Sequence, residues 1–91
     1  MQLFAFVVAA PTEGTTTLSA EVLLDILYAH ALPADRLEHV RVRAGPGRFD
    51  VTLFLAAADP VSSAASADAI FGRALRASPL LCDWFVIPVH F

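Results

Sequence analysis

The spacing of apolar residues in this chain changes along its length, and the order of those changes restricts the fold more than any single motif does. A strand-like run comes first, then a helical run, two strand-like runs around a Gly-Pro-Gly turn, a second helical run and a closing strand. Leu3 to Ala9 is apolar at both parities, with Leu3, Ala5, Val7 and Ala9 on one side and Phe4, Phe6 and Val8 on the other. A strand covered on both faces has this composition, which places it in a sheet interior. Pro11 to Thr17 is rich in turn formers and hydroxyls. Beyond it Val22, Leu23, Ile26, Leu27 and His30 recur at helical spacing until Pro33 stops the run.

The second half repeats the scheme. Leu37 to Arg43 alternates, with Glu38, Val40 and Val42 on one side and Leu37, His39, Arg41 and Arg43 on the other, as in a half-exposed edge strand. Ala44-Gly45-Pro46-Gly47 supplies turn chemistry. Its hairpin partner follows, with Phe49, Val51, Leu53 and Leu55 opposite Asp50, Thr52 and Phe54. Asp59-Pro60 has the form of a helix cap and first helical residue. Ala64, Ala67, Ile70, Phe71, Ala74 and Leu75 then carry an apolar stripe to Ser78-Pro79, with Ser62-Ser63 delaying the regular helix to about Ser66. Trp84 to Phe91 is aromatic and β-branched, and Pro88 within it requires an edge or a bulge.

Strands are therefore expected near 2–9, 37–43, 48–57 and 84–90, and helices near 18–32 and 60–78. Two right-handed β-α-β crossovers joined by a hairpin give a single ferredoxin-like α+β domain over residues 1–91. It has a four-stranded antiparallel sheet with both helices on one face, the first and third strands central and the other face bare.

Composition narrows what such a sheet does. The hydrophobic fraction is 57% and the charged fraction 16%, against roughly 45–50% and 25% in soluble domains. A chain of 91 residues cannot hide that much apolar surface in one core. The excess implies a homo-oligomer, a partner protein or a lined ligand groove. A net charge of −3 with six basic residues, all arginine, argues against a nucleic-acid partner. The Arg-only, Ala-rich makeup fits a high-GC bacterial genome. The single cysteine, Cys82, suits a reducing, cytoplasmic setting. The apolar start up to Pro11 lacks the basic segment of a signal peptide and supplies the first strand, so it reads as structure. No run reaches the roughly 18 apolar residues needed to cross a bilayer, so no membrane partner is expected.

Assigning the more apolar parity of each strand to the helices leaves His39, Arg41, Arg43, Asp50, Thr52, Phe54, Trp84, Val86 and His90 on the bare face. Phe85, Ile87, Val89 and Phe91 then point to the core. Which parity of the first strand joins the bare face stays open. Aromatic and arginine side chains together are enriched at binding hot spots, so Arg41, Arg43, Thr52, Phe54, Trp84, Val86 and His90 are the candidate contact residues. No cofactor, metal site or catalytic group is expected. His30, His39 and His90 fall on three separate elements without a ligand at short spacing, and Cys82 has no inferable base.

Gly45 to Phe54 is similar to the aromatic third strand of an RNA-recognition domain, but Asp50 and Thr52 stand where aromatic residues are needed. Two resemblances are topological only. The first strand, the Pro11–Thr17 loop with Gly14 and the following helix are arranged like the ligand loop of ACT-type amino-acid-sensing domains, which implies a small-ligand sensor. Dimeric α+β-barrel monooxygenases and cyclases share the topology, which implies an enzyme on an apolar substrate with His39 or His90 inside the barrel. The leading expectation is a non-enzymatic module acting by homodimerisation and protein binding through its open sheet face.

Overall fold

The computed structural model describes residues 2–10, 18–56, 59–81 and 83–89. The strands are β1 (Gln2–Ala9), β2 (Leu37–Gly45), β3 (Arg48–Leu55) and β4 (Phe85–Val89), and the helices are α1 (Ala20–Ala29) and α2 (Pro60–Ala77). They form one antiparallel sheet in the order β2-β3-β1-β4. The β-α-β-β-α-β chain order and this strand order are those of a ferredoxin-like α+β fold, with β1 and β3 central as their composition implies. Phe6, Val8, Val40, Phe49, Val51, Leu53 and Leu55 from the sheet meet Leu23 and Leu27 of α1 and Ala67, Ile70, Phe71 and Ala74 of α2 in one core. The Phe6 and Phe71 rings lie 4.5 Å apart, centroid to centroid.

Local chemistry sets most boundaries. Ser19 caps α1 by accepting a hydrogen bond from the Val22 N–H at 3.2 Å. The helix ends at His30, two residues earlier than the proline alone implies, and a 3-10 turn over Pro33–Asp35 fills the gap. Asp59 caps α2, accepting from the Val61 N–H at 3.1 Å and the Ser62 hydroxyl at 2.7 Å. These two bonds, the hydroxyl's first, hold its carboxyl below its ordinary value. Because Ser62 completes the cap and Ser63 is buried, α2 begins at Pro60 and not near Ser66. The β2–β3 hairpin closes Gly45 against Arg48 over Pro46-Gly47. Gly47 takes φ +67°, which a glycine after proline adopts without strain.

Two features correct the alternation expected for β2 and β4. A register shift between Leu37 and His39 makes Glu38 the extra residue of a bulge, so Leu37 packs on the core and not beside His39 on the open face. In β4 the whole phase is reversed. Val86 pairs with the buried Val8 and Pro88 with the buried Phe6, so the even positions lie on the helix side. A second 3-10 turn, Pro79–Leu81, sets this phase: Leu81 is buried, its carbonyl accepts from the Trp84 N–H at 3.1 Å, and the Trp84 ring packs 5.6 Å from Phe49.

Behind the sheet, an ionic contact ties α2 to the α1–β2 connection. The buried Asp35 carboxylate pairs with the Arg73 guanidinium and accepts from the Leu32 N–H at 2.8 Å. Arg73 Nε donates to the His30 carbonyl at 2.8 Å. Each charge thus has a partner, as groups removed from water require.

Candidate functional site

Cross-strand register defines the face of the sheet that carries no helix, because directly paired residues share a face. Four rows run across it from β2 to β4. Arg41, Thr52, Ala5 and Val89 form one, and Arg43, Asp50, Val7 and Ile87 the next. Gly45, Arg48, Ala9 and Phe85 form a third, and His39, Phe54 and Leu3 a fourth. The odd parity of β1 therefore lies on this open face.

The rows change character from one edge to the other. Over β4 and β1 the surface is aliphatic and aromatic: Leu3 and Phe85 are each 57% exposed, Ile87 51% and Val89 37%. Over β2 and β3 it is polar and cationic, with exposed Arg41 and Arg43. Arg48 and Asp50 sit two apart on β3 and pair at 3.5 Å, both near half exposure, a contact that water screens heavily. Phe54 and His39 bridge the two halves, their ring centroids 5.4 Å apart.

Of the residues expected here, Arg41, Arg43, Thr52 and Phe54 come together on the open face. Trp84 and Val86 do not, since both pack half-buried against the core on the helix side. His90, Gly14 with the whole Pro11–Thr17 loop, and Cys82 lie outside the described residues. In place of Trp84 and Val86 the face presents Phe85, Ile87 and Val89, which hydrophobicity alone assigned to the core. The usable signal was Trp84: the largest side chain of the segment, next to the Leu81 anchor, takes the core position and turns Phe85 outward.

Both free sheet edges are blunted. On β2 the Val40 N–H donates to the Tyr28 hydroxyl of α1 at 3.0 Å, and the bulge at Glu38 breaks the regular ladder. On β4, Pro88 has no N–H to give to an added strand. A cleft of about 280 Å³ beside β2 has Ala20, Glu21, Leu24, His39 and Arg41 in its wall. Among the described residues, no three His, Cys, Asp or Glu side chains gather around a common point. No helix among the described residues is long and apolar enough to cross a membrane. Comparison with protein-family models, curated proteins and solved structures gives no match to this chain.

Proposed function

We propose that this protein is a non-catalytic assembly module that associates through its open sheet face, first with a second copy of itself. The observation that carries this reading is the contiguous apolar strip of Leu3, Phe85, Ile87 and Val89. Large apolar side chains joined by strand register do not stay against water without cost. Each Å² of apolar surface they remove from it is worth about 25 cal/mol. Blunted edges direct association to the face, because neither β2 nor β4 offers an unbroken row of backbone donors and acceptors.

The area suffices. Four strands about 4.8 Å apart and 5 to 9 residues long at about 3.3 Å each outline a face of about 400–500 Å². With side-chain relief, two such faces bury on the order of 1,200 Å², the lower end of stable specific interfaces. A second copy presents a face of the same size, so it can cover the strip without a special partner.

Sedimentation velocity over a micromolar concentration series tests this reading. A concentration-dependent shift from the mass of one chain to that of two is expected. A single species of 9.7 kDa throughout would refute it.

A further inference from the structure

We infer that the second copy docks about a two-fold axis running parallel to the strands, with β2 of one protomer lying over β4 of the other and β3 over β1. This rests on the self-association reading and adds to it which side chains meet. The four register rows decide the matter. A two-fold axis along the strands keeps each row level with its own copy and reverses its order, so the β2 end of a row faces the β4 end of the same row.

The rows are complementary under that reversal. In the row Gly45, Arg48, Ala9, Phe85, the Phe85 ring faces the bare backbone of Gly45 and the long Arg48 faces Ala9. In the row Arg41, Thr52, Ala5, Val89, Thr52 faces Ala5 and Arg41 faces Val89. In the last row Phe54 faces Leu3. Over most of the face large side chains thus meet small ones, or apolar ones meet apolar, as interlocking sheet faces require, and only the two arginines of β2 meet aliphatic side chains. Arg43 faces Ile87 at the rim, where the aliphatic part of an arginine covers apolar surface while its guanidinium reaches water. Asp50, facing Val7, keeps compensation when covered, because Arg48 pairs with it and Arg43 is its register partner on β2.

A face-to-face arrangement with its axis across the strands is disfavoured by charge. It lays β2 on β2, bringing the Arg41 and Arg43 pair of one copy onto the same pair of the other with no carboxylate added. Edge-to-edge pairing meets Pro88 or the Tyr28-capped Val40, and leaves the apolar strip wet.

Cross-linking reads the arrangement directly. In a Cys82→Ser background, Arg43→Cys and Ile87→Cys proteins are prepared separately and mixed. They are then treated with a bis-maleimide spanning about 10 Å, the spacing of packed sheets, while light scattering reports the mass. The expected result is a dimer in which the mixture cross-links and neither protein alone does, since like positions then sit at opposite rims. A dimer in which Arg43→Cys links to itself, or in which the mixture fails to link, overturns this packing and leaves self-association standing. A monomer at every concentration removes both.

Discussion

Replacing Ile87 with lysine separates association from folding, because Ile87 faces away from the core. Ile87 is 51% exposed in the single chain and does not belong to the core cluster, whereas its neighbour Val86 packs against that cluster. Fully burying an isoleucine side chain is worth about 1.5–3 kcal/mol, so covering the exposed half contributes about 1 kcal/mol, or about 2 for the two copies of a symmetric pair. Lysine forfeits this and sets two ammonium groups beside the Arg43 guanidinium of the opposite copy, each costing about 1–3 kcal/mol as an unpaired charge facing a like one. The sum of about 4–8 kcal/mol, at about 1.4 kcal/mol per tenfold, weakens association by a factor on the order of 10³ or more. Sedimentation velocity measures that loss, and urea unfolding at concentrations where the wild type is a single chain should show an unchanged midpoint. Val86→Ala should do the reverse, lowering the urea midpoint while the folded protein still associates. An Ile87→Lys protein that associates within about threefold of the wild type refutes the placement of β4's odd face in the interface.

Other consequences are open to measurement. Arg73→Met strands the buried Asp35 carboxylate and should cost about 3 kcal/mol or more, a large share of the roughly 5–14 kcal/mol available to a chain of 91 residues. Adding Asp35→Asn should recover part of that in urea titrations. Because the Asp59 carboxyl is held below its ordinary value of 3.8, its capping contribution is present above that pH and lost as pH falls below it through the lowered folded value. Asp59→Asn should therefore flatten the acid limb of stability against pH, read by circular dichroism. Gly47→Ala meets no atom within 4 Å but forces a side chain into positive φ, and should cost about 1 kcal/mol in thermal unfolding. His39→Gln should leave fold and association within a few fold, since the ring contributes one exposed contact, to Phe54. A large loss of biological effect with association intact would point to catalysis instead.

The fold was legible in the amino-acid sequence because the features that specify it act over a few residues. The alternation of β3, the helical stripe of α2, the Asp59-Pro60 cap and the Pro46-Gly47 turn each carry their own geometry. The doubly apolar β1 announces a central strand. Half of the open face followed from the same logic, since the strict alternation from His39 to Arg43 and from Arg48 to Leu55 leaves no choice of side. The apolar half did not. Hydrophobicity tells which residues avoid water but not what covers them. β4 carries apolar side chains on both faces, so its phase depended on Leu81 and Trp84 finding their places against α2 and Phe49. The Glu38 bulge, the Arg73–Asp35 pair across 38 residues and the Tyr28 hydroxyl on the β2 edge likewise arise only when distant segments meet. Contacts of that kind leave no periodic trace in the chain, because the partner that satisfies each group is chosen by packing in three dimensions and not by spacing in one.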